Sequence, residues 1–398
     1  MARDEQAVPA RDHWLDRATL WGLLAFGGAL QFSIFLAETI LALVLVAWIG
    51  SLLVHRERPE APPWFTPLLV YAGLTLVATA FSQDPKASLG AAKQLLLFLL
   101  VPAAYRALRG RSAETMIEVV ISLGAFSAIV GVIQFGFLGY DRLQQRPVGT
   151  LGHYMTYSGL LMLIICSVAA RLLFQRRDRI WPALVMPALV VALVFTFTRS
   201  AWVGACVGVG LLLILKDFRL LALAPVVAGL FFALAPSSLT SRFYSIFDLQ
   251  DPSNRDRVAM FQAGTEIIAS SPLTGVGPNV LQRVYPQYRK STAVEHTPPH
   301  LHNVPMQIAA ERGLPALGAW IWFIVAAARG LLARMRGNGT RYLAAAGLSA
   351  VGAAIAAGMF EYNFGDSEFL LLLLLLLTLP WAASRTATST PAPRQPTA

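Results

Sequence analysis

The chain has 398 residues, 56% hydrophobic and 14% charged, with a formal net charge of +10. Soluble domains carry about 25% charged residues, so the composition excludes an ordinary soluble protein and indicates an integral membrane protein. The positive charge does not indicate nucleic-acid binding, because the basic residues are scattered between apolar runs and form no continuous patch.

No short apolar core with a small-residue cleavage site follows Met1, so no cleavable signal peptide is expected and the first membrane helix directs insertion. A membrane helix needs about 20 mostly apolar residues, and twelve stretches qualify, at about 18–33, 36–54, 64–81, 89–108, 114–138, 153–174, 180–197, 199–215, 218–235, 314–332, 341–360 and 367–383. Basic residues gather in the first tail and in every second connection: Arg3, Arg11 and Arg17; Arg56 and Arg58; Arg106, Arg109 and Arg111; Arg171, Arg176, Arg177 and Arg179; Lys216 and Arg219; Arg329, Arg334, Arg336 and Arg341; Arg385 and Arg394. The opposite short connections hold Lys86, Arg142, Arg146 and Arg199. Positive charge stays on the cytoplasmic side, so both termini are expected there, and the alternation agrees with twelve crossings. Cys166 and Cys206 lie inside apolar segments, and no structural disulfide is expected.

The expected fold is therefore all-α: a polytopic membrane protein with about 12 transmembrane helices and a helical outer loop. It divides into residues 1–235 with the first nine helices, a large loop over 236–313 carrying the active site, the last three helices over 314–383, and a disordered cytoplasmic tail over 384–398, rich in Thr, Pro, Ala and Ser. A structured outer loop of that length is a functional one. Within it, Ser253 with Asp256 three residues on reads as the N-terminal cap of a helix from about Asn254 to Ser270, which stops before Pro272. Residues 273–279 (LTGVGPN) read as a turn. A second short helix begins near Asn303, tolerates Pro305 in its first turn and ends at Gly313, after which Pro315 opens the next membrane helix.

Ionisable residues at a membrane boundary are costly and mark function. Arg142, Arg146 and the Gly149–Tyr154 turn form an outer cluster suited to sugar or phosphate, and Lys93 is a weaker candidate of the same kind. Arg199, in Thr198-Arg199-Ser200-Ala201-Trp202, either snorkels to the headgroups or offers its planar fork to a phosphate, with Trp202 anchoring the turn. Arg255 and Arg257 stand in the first turn of the loop helix, where a cation is unfavourable unless an anion bound at the helix end is shared with it. Residues two apart face different sides, so one of them points at the site, and Arg257 is preferred.

His302 follows His296 and His300. A lone histidine is most often structural, but the positive end of a helix disfavours imidazolium and keeps the ring neutral, which suits a general base. The spacing of the three histidines matches no standard zinc pattern, so no metal is expected. Glu361 and Asp366, in the last outer connection, either orient His302, bind acceptor hydroxyls or are simply hydrated.

These segments resemble the O-antigen ligase family. The resemblance rests on residues 146–153 (RPVGTLGH), 198–202 (TRSAW), Arg257 to Gly277 ending in SPLTGVG, and His302-Asn303 with residues 311–314 (ERGL), and it covers roughly residues 140–370. Phe261 and Ala316 depart from the family's usual tryptophan and glycine. The resemblance implies a GT-C-like membrane glycosyltransferase fold, with no cofactor, nucleotide sugar or required metal. It also implies transfer of O-antigen polysaccharide from undecaprenyl pyrophosphate to lipid A–core at the periplasmic face of a bacterial inner membrane. It makes His302 the base, puts Arg199 and Arg257, with Arg255 beside it, on the pyrophosphate, and leaves Arg142, Arg146, His300, Asn303, Glu361 and Asp366 for sugar or acceptor. An O-antigen polymerase or a protein O-oligosaccharyltransferase would use the same donor. A lipid-linked sugar transporter would instead predict charges at mid-membrane and repeated halves, and the sequence has neither.

Overall fold

The computed structural model describes residues 13–175, 178–337 and 341–385. The expectations for Arg3, Arg11, Arg176, Arg177, Arg394 and nearly all of the 384–398 tail lie outside them. The described chain is helical, with a single isolated bridge between Arg142 and Gln145. The helices are α1 (Trp14–Ala29), α2 (Ile34–His55), α3 (Phe65–Ala80), α4 (Pro85–Ala92), α5 (Leu100–Ala107), α6 (Arg111–Phe137), α7 (Tyr154–Phe174), α8 (Ile180–Phe195), α9 (Arg199–Asp217), α10 (Ala224–Leu234), α11 (Ser237–Tyr244), α12 (Pro252–Ser270), α13 (Leu281–Tyr288), α14 (Val304–Arg334), α15 (Arg341–Gly358) and α16 (Ser367–Ala383). A 3₁₀ segment, Lys93–Leu99, joins α4 to α5.

The expected count of about twelve spans is corrected. Among the described residues six helices are long and apolar enough to cross a membrane: Ile34–His55, Pro85–Ala107, Arg111–Phe137, Tyr154–Phe174, Val304–Arg334 and Arg341–Gly358. The other apolar stretches fall short for physical reasons. At 1.5 Å per residue, the 16 residues of α1, α3 and α8 and the 17 of α16 reach only about 24–26 Å, against a hydrocarbon core of about 30 Å. Helix α9 carries Arg199, Lys216 and Asp217 within its 19 residues, and the stretch predicted over 218–235 breaks into a 3₁₀ turn and an 11-residue helix. Charge alternation therefore agreed with a count that it cannot establish. The GT-C-like architecture finds no support in this arrangement.

Burial separates the core from the rim. Most residues of α7, α15 and α16 are buried, whereas α2 keeps Leu43, Val46 and Leu53 exposed. Helix α16, apolar all round, is what a buried bundle helix requires. Gly204 and Gly208 of α9 abut Ala353 and Ala357 of α15, and Ser349 Oγ donates to the Gly208 carbonyl at 2.8 Å. Small residues four apart permit such close helix approach.

Of the loop helices α11–α13, α12 and α13 share an apolar cluster, in which Met260, Ile267, Val276, Leu281 and Tyr285 pack on Leu301, just before α14, and on Met306 and Ala310 at its start. The predicted turn docks on α14: Val276 N–H donates to the Ala310 carbonyl at 2.9 Å and Gly277 N–H to the Glu311 carbonyl at 3.0 Å. Helix α14 breaks at Gly313 (φ 80°, ψ 168°), where an added Cβ would run into the Leu273 carbonyl. Short and long helices are thus joined end to end where the sequence placed their boundary.

Gly313→Ala must adopt a conformation open essentially to glycine alone, costing about 1–3 kcal/mol, and is expected to lower the thermal unfolding midpoint of the detergent-solubilised protein. Gly318→Ala, in the same helix and facing open space, is expected to leave the midpoint unchanged or slightly raised.

Candidate functional site

Three consecutive residues after α15 organise the site. The Met359 carbonyl accepts from Asn303 Nδ2 at 3.0 Å, the Phe360 carbonyl from Arg257 Nε at 3.2 Å, and the Glu361 carboxylate meets His302 Nδ1 at 2.9 Å. Each partner is aimed by local structure. Asn303 caps α14, its side chain accepting from Met306 N–H at 2.9 Å. His302 takes a left-handed backbone (φ 49°), uncommon for a residue with a Cβ, and this turns its ring toward Glu361. Arg257 lies one turn into α12 and also donates to Ser253 Oγ at 3.1 Å.

His300 packs edge-on against His302 with ring centroids 4.2 Å apart, and its Nε2 lies 3.5 Å from the other Glu361 oxygen. Burial alone would raise the Glu361 carboxyl, but the His302 hydrogen bond and the two imidazoles hold it at about 2. Burial lowers His300 to about 4 despite Glu361, with His302 and His153 adding to the drop. An ionised carboxylate only accepts, so Nδ1 of His302 carries a proton and Nε2 is left to accept one, the orientation that a base needs.

A group of arginines adjoins this cluster. Arg199, at the first position of α9, donates to the Ser245 carbonyl at 2.7 Å and to Asp251 at 3.1 Å. Arg242 lies 3.8 Å from the other oxygen of Asp251 and donates to the Phe197 carbonyl at 3.3 Å. Arg146 lies over the Tyr154 ring, 4.3 Å from its centroid. Arg242 is lowered to about 10 by burial and then by Arg199 and Arg146, with Arg257 adding to it. Burial likewise lowers Arg257, where Glu361 opposes the shift and Arg199 reinforces it. Trp202 Nε1 donates to the Leu193 carbonyl at 3.0 Å and so closes the turn between α8 and α9.

Residues 183–321 match the family model described as O-antigen ligase. The chain is thus a multi-pass membrane protein with a segment similar to the O-antigen ligase family. No curated protein was found to match it. The span matched to the O-antigen ligase family holds Arg199, Arg242, Asp251, Arg257 and His302, while Arg146 and Glu361 lie outside it.

The structure brings together His300, His302, Asn303, Glu361, Arg146, Arg199 and Arg257, places Asp366 with His300 and Glu361 in the lining of one cavity, and leaves Arg255 and Arg142 apart. Arg255 is exposed and reaches the Thr292 carbonyl at 3.4 Å. Arg142 is 81% exposed beside Asp141. Asp366 caps α16 through Phe369 N–H and accepts from Thr156 Oγ1. Ser253 is not the cap of α12: Asp251 is, accepting from Ser253 N–H at 3.1 Å and Asn254 N–H at 3.3 Å. Sequence reasoning missed Arg242 and Asp251 as parts of this neighbourhood, and reached His153 only as a member of the Gly149–Tyr154 turn. Only Asp251 had a local signal, since an aspartate directly before proline reads as a cap with proline at the first helical position.

A cavity of about 790 Å³ opens beside Glu361. Its polar lining includes His153, His300, Glu361 and Lys93, and Leu41, Leu45 and Leu96 give it an apolar flank. Among the described residues, His300, His302 and Glu361 form the group whose ligand atoms, all within 4.8 Å of one another, are close enough to share a metal ion; His296 is not part of it.

The two depressed groups give consecutive pH windows. His300 binds its proton more readily unfolded (ordinary value 6.5) than folded (about 4), so stability falls as pH drops between those values. Glu361 contributes stability that is present above its ordinary 4.5 and lost as pH falls toward about 2. Melting profiles from pH 7 to 2 should show His300→Gln flattening the upper window and Glu361→Gln the lower one. A Glu361→Gln profile as steep below pH 4.5 as the parent's contradicts the assignment.

Proposed function

We propose that this protein is an O-antigen ligase that transfers O-antigen polysaccharide from undecaprenyl pyrophosphate to lipid A–core at the periplasmic face of a bacterial inner membrane. The observation that carries this reading is the joint anchoring of base and cation: His302 pairs with Glu361, and Arg257 is bound to the carbonyl of the residue before it. Four guanidiniums (Arg146, Arg199, Arg242, Arg257) face two carboxylates (Asp251, Glu361). Two positive charges remain, the charge that a pyrophosphate diester neutralises. Orientation follows from helix polarity. The site lies at the starts of α7 and α14 and the end of α15, whereas Arg171, Arg334 and Arg341 lie at the opposite ends of those helices, the cytoplasmic sign. Segment 236–313 is then the periplasmic loop that carries most of the site, and both termini are cytoplasmic.

In the proposed reaction His302 Nε2 takes the proton from a core-sugar hydroxyl as its oxygen attacks the anomeric carbon. The bond from that carbon to the pyrophosphate oxygen breaks, undecaprenyl pyrophosphate leaves with the electron pair, and the configuration inverts. The arginines stabilise charge growing on the leaving oxygen, with preorganised donors acting where water is excluded. Glu361 holds the imidazole and balances its charge, as in other base–carboxylate pairs. The 790 Å³ cavity is of the size of small-molecule sites. Its polar lining and Lys93 suit the acceptor's sugars and phosphates.

Reconstitution with undecaprenyl-pyrophosphate-linked glycan, offered either lipid A–core or further donor, tests the reading. Extension of lipid A–core is expected; growth of the donor glycan alone would make the protein a polymerase. His302→Ala should lose about 10²–10⁴ in rate while still binding donor. Arg257→Lys should lose tenfold or more, about the difference between a planar fork and a point charge. Arg255→Ala should stay within about twofold, as is usual for exposed positions.

A further inference from the structure

The arginine group already contains an anion. Asp251 lies 3.1 Å from Arg199 and 3.8 Å from Arg242, and its Oδ1 also accepts the first free N–H groups of α12. Arg257 adjoins the same cap through Ser253 Oγ. The two kinds of donor that a phosphate seeks, guanidinium forks and helix N-terminal N–H groups, are therefore engaged by one side-chain carboxylate. Nothing in the fold requires so many cations around it. An N-cap needs no salt bridge, and crowding Arg146, Arg199, Arg242 and Arg257 together is unfavourable without a multivalent counter-ion.

We propose that Asp251 is an internal competitor for the lipid pyrophosphate: it holds Arg199 and Arg242 in the empty site, and the donor displaces it. The inference rests on reading the arginine group as the donor site. Displacement makes the site selective by charge. A diphosphate offers two negative charges in exchange for the one it displaces. A phosphodiester offers one for one and gains nothing. Asp251 thus acts as a positioning and specificity residue, setting donor affinity through the arginines and favouring diphosphate-linked over monophosphate-linked lipids.

The test is binding of inorganic pyrophosphate and inorganic phosphate to the detergent-solubilised full chain, with donor KM and kcat measured in parallel. Asparagine caps a helix as well as aspartate does, so Asp251→Asn removes the charge and keeps the cap. It is expected to bind pyrophosphate about tenfold tighter, as expected for removing a competing charge near 3–4 Å at a partly solvated site. Donor KM should fall without a rise in kcat, and the preference for pyrophosphate over phosphate should narrow. A purely structural role predicts the reverse, since loss of a salt bridge would loosen the site. Should Asp251→Asn fold poorly, Asp251→Ser, also a capping residue, carries the same comparison. Pyrophosphate binding to the folded variant that is unchanged or weaker than the parent's overturns the inference and leaves the donor-site reading standing. No pyrophosphate binding by the parent or the variant removes that reading and this inference with it.

Discussion

The ionised carboxylate of Glu361 is the contact on which the site depends. It is 12% exposed and has both oxygens engaged, one by His302 Nδ1 and the other by His300 and by Tyr362 N–H. Burying a carboxylate is unfavourable unless it is paired and hydrogen-bonded, and here the pairing is sufficient to keep it charged. Because the two residues before it hold Asn303 and Arg257, one short segment ties α12, α14 and α15 together. Removing the carboxylate frees an imidazole that is otherwise fixed in tautomer and direction; removing the imidazoles strands a buried charge.

A second tie joins the loop unit to the membrane helices. Arg199, at the start of α9, reaches across to Ser245 and Asp251, and the turn over 273–279 is hydrogen-bonded into the break of α14. Ser88 Oγ adds a bond to the Pro278 carbonyl at 2.8 Å, and Gln83 N–H one to the Val276 carbonyl at 3.1 Å. The loop unit has its own apolar cluster but is positioned by polar contacts at its edges. That division suits a site assembled from both parts: the helices provide Arg199 and the Glu361 segment, and the loop unit provides Arg242, Asp251 and Arg257. Rigid placement of each group by packing and by neighbouring hydrogen bonds is what electrostatic catalysis asks of a protein.

The O-antigen ligase family match covers the loop unit and the helices that flank it, ending partway along α14. Glu361 and Arg146 fall outside it, and the cavity straddles its edge: Lys93 and His153 lie outside, His300, Gln307 and Glu311 inside.

Local chemistry was legible in the sequence. The cap at Asn303, the proline tolerated two residues later, the break at Gly313 and the helix that stops at Ser270 before Pro272 are decided by neighbours within one turn of helix. The all-α membrane character likewise followed from runs of apolar residues. The number of spans did not, because apolar runs of 16 or 17 residues read much like membrane-length ones, and the break of 218–235 into a 3₁₀ turn and a short helix shows only in the folded chain. Partners were also beyond reach. Nothing local distinguishes the exposed Arg255 from Arg257 except helix phase, and nothing near Arg242, Asp251 or Glu361 in sequence names the groups that they bind. Those pairs join residues 52 and 59 positions apart, so they exist only once packing has brought distant segments within hydrogen-bonding distance.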